Sequence, residues 1–474
     1  MALAPGGQAK FVEGNLLRHI AVMSLTASVG LMSIFVVDLI NMVYISWLGD
    51  PDLTAAVGYA GAVMFFTTAF GIGLSIGVTV MVAQAAGARN LALARDRATT
   101  GLAIGAVLSV VFTAVIWLLL PWIVELVGAR GRTAEQTLGF LRVYTLSQPL
   151  LIVAIMGAAV LRAYGEARRS MMVTVWGAVA LAALDPVLIL WADLELTGAA
   201  LAGAGSRVVM LLAAMWPVWR RIGGFSVITR AGLADFMGPF TAISAPAIMT
   251  QMATPVGQAL VTRMVATYGE PAVAGMAIAG RLTPVAFAMI FALSGALGPI
   301  VGQNLGAGRM DRVRQIFRDS IIFTGVVIAT VSLLLYLGRA PLADLFQAQG
   351  LTRELVFLFC GPLSLLFFFN GLIFASNAFC NNLGRPFWST LVNWGRHTVG
   401  TVPVALWFGG IWGAQGVLVG QAAGGIVFGL FSVWLGWFAI RHPRMKVAQT
   451  TFAPTPLDQT TSAPTESVAG DRLA

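Results

Sequence analysis

Long apolar runs, broken at intervals by short polar stretches, make up almost the whole chain. A helix needs about 20 apolar residues to cross a bilayer. On that rule the pattern predicts twelve spans. The first six run near 20–46, 54–86, 98–121, 137–161, 170–192 and 196–219. The next six run near 236–267, 273–303, 316–338, 352–380, 386–409 and 412–440. Spans two, seven, eight and ten exceed the length needed, which predicts tilt, kinks or extension beyond the bilayer. The first run is too long for a cleaved signal and reads as a retained span. The tail from Arg441 onward is rich in Thr, Pro, Ser and Ala and is expected to be disordered.

Composition agrees with a polytopic membrane protein. Hydrophobic residues are 58% of the chain and charged residues 10%, with a mean hydropathy of +0.84. A soluble chain carries about 25% charged residues. The 53 glycines suit closely packed membrane helices.

The net charge of +9 comes almost wholly from arginine, since Lys10 and Lys446 are the two lysines. The arginines follow even-numbered spans: Arg89, Arg95 and Arg97; Arg162, Arg168 and Arg169; Arg220, Arg221 and Arg230; Arg309, Arg312, Arg314 and Arg318; Arg385; Arg441 and Arg444. Asp50 and Asp52, Asp193 and Glu195, and Glu270 dominate three of the opposite loops. This is the positive-inside pattern, and it predicts a multi-pass inner-membrane protein with both termini cytoplasmic. A nucleic-acid partner would need a clustered basic face instead.

The two halves repeat. Gln84-Ala85-Ala86-Gly87 at the end of span two matches Gln303-Asn304-Leu305-Gly306 at the end of span eight. Leu161-Arg162-Ala163-Tyr164-Gly165 matches Asn381-Asn382-Leu383-Gly384-Arg385 at the same offset. An offset of six spans gives parallel repeats related by an axis along the membrane normal, with the substrate path between them. The expected organisation is an N-terminal six-helix lobe over 1–219, a cytoplasmic linker over 220–235, a C-terminal six-helix lobe over 236–440 and a tail over 441–474.

Two acids lie well inside apolar spans, Asp38 in span one and Asp185 in span five. A carboxylate at a helix centre costs about 2.5–3.5 kcal/mol on insertion scales, so such residues are functional candidates by default. Both are expected in the outer half of the membrane at matched depth within one lobe. A carboxyl held away from water and cations binds and releases its proton nearer neutral pH than a solvated one. Asn41 is one turn beyond Asp38 on the same helix face. Pro186 follows Asp185, lacks an amide proton and frees the carbonyl of Ala182.

Gln251, Asn370 and Asn377 are candidates for lining a central cavity, or for hydrogen bonding between helices. Arg207, Arg281 and Arg396 are the other interior charges, and Arg396 is followed by His397, read as a packed histidine. An arginine at such depth satisfies backbone carbonyls or shapes a cavity wall.

With lysine only at positions 10 and 446, no GxxxxGK[ST] phosphate loop exists. No HExxH motif is present either, and there is no nucleophile–base pair to nominate, so no enzyme is expected. Cys360 and Cys380 form no CxxC or Cys/His cluster, and no metal or other cofactor is expected.

Taken in order, five stretches resemble the multidrug and toxic compound extrusion (MATE) transporters over about residues 15–440. They are Val37-Asp38 with Leu48-Gly49; Val82 through Ala88; Leu161 through Gly165; Leu184-Asp185-Pro186-Val187-Leu188-Ile189; and Ala245-Pro246 through Tyr268-Gly269. The fourth is closest in pattern to the DinF-like branch. The resemblance implies an all-α fold of twelve helices in two lobes around a V-shaped cavity. It implies export of small organic, often cationic and amphipathic, compounds against H⁺ or Na⁺, by a chain expected to be monomeric. Asp38 and Asp185 fall on the family's N-lobe acids. Leu181 and Gly203 stand where sodium-site relatives often carry Asn and Thr, which favours H⁺. No membrane-embedded acid is found in spans seven to twelve, unlike the NorM-like branch. A lipid-linked saccharide flippase of the wider superfamily is the alternative.

Overall fold

Proline and glycine punctuate the long apolar helices, and among the described residues fifteen α-helices and three π-helical turns stand where twelve spans are expected. The computed structural model describes residues 9–47, 51–192 and 194–444. Among them no strand occurs.

Spans one to three are α1 (Leu16–Trp47), α2 (Pro51–Gly87) and α3 (Leu91–Val127). Span four is a bent pair, α4 (Gly131–Leu146) and α5 (Gln148–Ala163), with a 48° bend at Ser147 just before Pro149. Span five is α6 (Ala167–Asp185), which widens into a π-helical turn over Pro186–Trp191. Span six is α7 (Glu195–Ile222).

Span seven is α8 (Arg230–Ala266), with Pro239, Pro246 and Pro255 inside it. Span eight breaks at Phe287 into α9 (Glu270–Ala286) and α10 (Ala288–Gly306), and span nine is α11 (Met310–Leu345). Span ten is α12 (Gly350–Leu358), a π-turn containing Pro362, and α13 (Ser364–Asn382). The last two spans are α14 (Pro386–Gly395), a π-turn over Arg396–Gly400 and α15 (Val402–Arg441).

Nine of these helical runs are each long and apolar enough to cross a bilayer, or ten if the bent α4/α5 pair is one span. Two features complete the expected twelve. The three prolines and polar residues of α8 lower its apolarity, yet its 37 residues cover ~55 Å. Residues 386–441 turn back at Gly413, whose φ of 62° and ψ of −141° are not helical, so they hold two crossings. The expected linker is mostly helix, because α7 runs on to Ile222 and α8 begins at Arg230. Of the tail, residues 445–474 lie outside those described.

The core follows the helix order. One apolar cluster joins α2, α3, α5, α6 and α7, and α8 enters it through Phe236, Phe240 and Ile243. Another joins α10, α11, α13 and α15, and the start of α1 enters it through Leu16, Ile20 and Met23. Each half therefore lends its first helix to the other along a central seam. The repeat is also visible in the backbone. Gly165 and Gly384 have φ of +79° and +76°, a left-handed value that turns the chain without a Cβ clash.

Candidate functional site

The expected ion site is built on α1 and α6, which pack side by side. They approach closely at Gly30, where a Cβ would stand 2.3 Å from the Thr174 hydroxyl oxygen. Asp38 and Asp185 follow Gly30 and Thr174 along two helices that start together at the arginine-rich end. At 1.5 Å per residue their backbone positions stand ~12 Å and ~16 Å beyond that contact. The Asp185 side chain is wholly buried, at the point where the helix opens into its π-turn. That widening is the local effect of Pro186, which offers no amide to the preceding turn. The backbone of Asp38 and Asn41 belongs to α1, but their side chains lie outside the described residues.

The remaining candidates sit in the second half, apart from Asp185. Asn370 on α13 and Arg396 are brought together: an Arg396 Nη1 hydrogen donates to Asn370 Oδ1, and the other terminal nitrogen meets His397 Nε2. Both Arg396 and His397 are buried, and Asn370 is half-buried. Asn377 is enclosed between helices, where its Oδ1 accepts from Asn393 Nδ2 at 3.3 Å. Gln251 is half-buried on α8, next to Thr250, whose hydroxyl meets that of Thr390 on α14 at 3.1 Å. Gln251 and Thr250 thus lie on the helix that packs against α14 from one side, and Asn377 on α13, which packs against α14 as well. Arg207 serves the bend of span four instead. It donates to the Tyr144 carbonyl at 2.8 Å and the Ser147 hydroxyl at 2.5 Å, and its guanidinium lies 3.7 Å from the Tyr144 ring centre.

At the arginine-rich end the two halves are locked by a reciprocal pair of contacts. Gln84 Nε2 donates to the Asn382 carbonyl at 3.1 Å, and Gln303 Nε2 donates to the Ala163 carbonyl at 2.7 Å. The glycines that end the same helices repeat the exchange. A Cβ on Gly87 would stand 2.0 Å from the Gln303 carbonyl oxygen, and one on Gly306 would stand 2.0 Å from that of Gln84. Sequence reading finds these residues as a repeat but not as each other's partners. Their signal is a Gln three residues before a Gly at both repeat positions.

A short arm before α1 closes the same end and has no counterpart among the expected site residues. The Phe11 amide donates to Gln303 Oε1 at 3.0 Å, and its carbonyl accepts from Asn304 and Arg312 at 3.0 and 3.1 Å. Lys10 binds Glu166 of the first half at 2.8 Å. Burial raises the Glu166 carboxyl, but the Lys10 hydrogen bond and charge, with Arg169 and Arg221, hold it below the ordinary value of 4.5. Burial likewise pushes the nearby Tyr164 phenol up to about 12, against the charges of Arg221 and Arg95. The molecule is thus sealed at this end by backbone-directed hydrogen bonds from both halves.

Comparison with known proteins places this architecture. The model of the MatE family matches residues 27–187 and again 246–407, together more than half of the chain. The chain belongs to the MatE family. This MatE protein is 26% identical over 435 residues to an FAD transporter of Shewanella oneidensis, covering 87% of this chain and 92% of that one. It is 22% identical over 400 residues to the multidrug export protein MepA of Staphylococcus aureus, covering 83% of this chain and 88% of that one. Its fold superposes on a Vibrio cholerae MATE transporter, VcmN, with a TM-score of 0.84 at 22% identity, over 90% of this chain and 96% of that one. The MatE assignment makes the chain a multi-pass membrane transporter of the multidrug-efflux kind, consistent with the all-α fold and its apolar helices.

Proposed function

We propose that the protein exports small organic compounds from the cytoplasm in exchange for protons, with Asp38 and Asp185 as the proton-carrying groups. The observation that carries the reading is Asp185, a carboxyl wholly buried in the first half where a π-turn loosens the helix. Its helix lies beside the one that holds Asp38. The arginine-rich end is the cytoplasmic end by the positive-inside rule, which puts both termini in the cytoplasm. The structure then represents a state closed toward the cytoplasm. Protonation from outside would reshape α1 and the α6 π-turn, and release inward would reset them. A proton shifts this equilibrium only by binding one state more tightly than the other. Na⁺ requires several oxygen ligands, and Leu181 and Gly203 supply none from their side chains.

The measurement is transport by the purified protein in vesicles under an imposed pH gradient. Asp38→Asn and Asp185→Asn should each abolish gradient-driven movement. Retention by both variants overturns the coupling assignment, and transport driven by a Na⁺ gradient at equal pH turns the reading to Na⁺.

One observation favours a second reading of the cargo. Arg396 is buried among neutral partners, which puts a positive charge inside the second half. Such an interior suits a compound with an anionic group, and the FAD transporter is a relative with such a cargo. Vesicle uptake of ethidium and of FAD, compared side by side, separates the two cargo classes.

A further inference from the structure

A groove of about 590 Å³ opens on the surface of the first half, between the arginine-rich ends of α6 and α7. The transport reading leaves it without a use. Arg168 and Arg169 in the first turn of α6 stand at its mouth, and both are exposed. Met172 and Trp176 continue down α6, while Leu212 and Trp216 face them from α7. Trp176 lies eight residues, or ~12 Å, deeper than Arg168. The deep part is apolar and open: Trp176, Leu212 and Trp216 are 50%, 63% and 58% exposed. Exposed tryptophans at this depth belong in a bilayer, with their rings near the headgroup level.

The groove therefore grades from two guanidinium groups at the membrane surface to an apolar slot below. A free phosphate would use only the mouth, and an uncharged acyl chain only the slot. An anionic phospholipid uses both, with its phosphate on the arginine pair and one chain along Trp176 and Leu212. We infer that this groove binds an anionic phospholipid of the leaflet on the arginine-rich side, a phosphatidylglycerol-type lipid. The site adjoins the closing arm. Arg169 lies 3.8 Å from Glu166, which also holds Lys10 at 2.8 Å. A lipid phosphate that engages Arg169 competes with Glu166 for it, and so links lipid composition to the network that pins the arm.

Brominated-lipid quenching of tryptophan fluorescence tests the inference on the full-length protein in vesicles. Dibromo-phosphatidylglycerol should quench more strongly than dibromo-phosphatidylcholine at equal mole fraction. In an Arg168→Gln/Arg169→Gln variant the preference should fall about fivefold for each arginine lost, with the phosphatidylcholine curve unchanged. Arg168→Lys/Arg169→Lys should keep most of the preference. In the otherwise native chain, Trp176→Phe/Trp216→Phe should remove the lipid-specific part of the signal. The inference is overturned if the native protein shows no preference, or if the glutamine variant keeps it with an intact phosphatidylcholine curve. It is also overturned if the Trp176→Phe/Trp216→Phe variant leaves the lipid-specific signal in place, or if millimolar inorganic phosphate abolishes the preference, since that marks a site for free anions.

Discussion

Gly87 and Gly306 hold the α2 and α10 ends in backbone contact, so the smallest side chain is already too large at either position. A Cβ would stand 2.0 Å from a carbonyl oxygen in each case. Backbone cannot give way as a flexible side chain can, so Gly87→Ala or Gly306→Ala should push the two halves apart at this end. The expected cost is about 1–3 kcal/mol, the range for overpacking. It should appear as a lower melting temperature and as faster thiol labelling of a cysteine placed at Ala307. Glu166 gives a pH-dependent counterpart. Its carboxyl is held below its ordinary value, so its stabilisation is present above the unfolded value and is lost as pH falls through the lower folded one. The melting-temperature difference between the native protein and Glu166→Gln should therefore be steady from pH 6 to 7.5 and shrink as pH drops below about 4.5. The pair is partly exposed, and its contribution should stay under about 1 kcal/mol. The burial of Asp185 was legible because an acid is conspicuous in an apolar run. The partner roles of Gln84 and Gln303 were not, since a glutamine at a helix end says nothing about which carbonyl it will meet.

The arm of residues 9–14 and the broken helices are decided at the level of elements. Phe11 is 4% exposed and sits in the apolar cluster of the second half, while Lys10 reaches the first half. Phe11→Ala should destabilise the closed end by ~3 kcal/mol, the low side of the range for a buried phenylalanine. Removing residues 1–14 should do at least as much and should raise the labelling rate at the same cysteine. Equal melting temperatures and equal labelling for the native and shortened chains would show that the arm holds nothing. The breaks were partly readable. Pro149, Pro186 and Pro362 mark the bend of span four and two of the three π-turns, because proline removes a helical donor wherever it stands. The third π-turn, over Arg396–Gly400, contains no proline; Pro403 follows it in the first turn of α15 and leaves the Val399 carbonyl without its helical donor. Likewise the break at Phe287 follows Pro284 by a few residues, and the turn at Gly413 is one glycine among 53.

For the whole molecule, orientation and the seam matter most. If the arginine-rich end faces the cytoplasm, a phosphatase fused after Arg441 should be inactive and a cytoplasmic fluorescent reporter there should be bright. The opposite pattern would invert the topology and, with it, the direction assigned to export. The proposed export by alternating access would require both the Gln84 and the Gln303 contacts to break, because each ties a helix end of one half to a carbonyl of the other.

By itself, the sequence determined the class, the span pattern, the repeat and the acid at position 185. All of these follow from local composition and spacing, since a bilayer demands about twenty apolar residues per crossing whatever the partner helices do. The tertiary structure alone decided which surfaces face each other. It brought Asn370 to Arg396, put Arg207 on the bend of span four, and closed one end with an arm, two glutamines and two glycines. Asn370 and Arg396 meet through their side chains, and most of the other contacts join residues far apart in the chain through backbone groups, which every residue carries. No pattern of side chains along the chain can therefore foretell them.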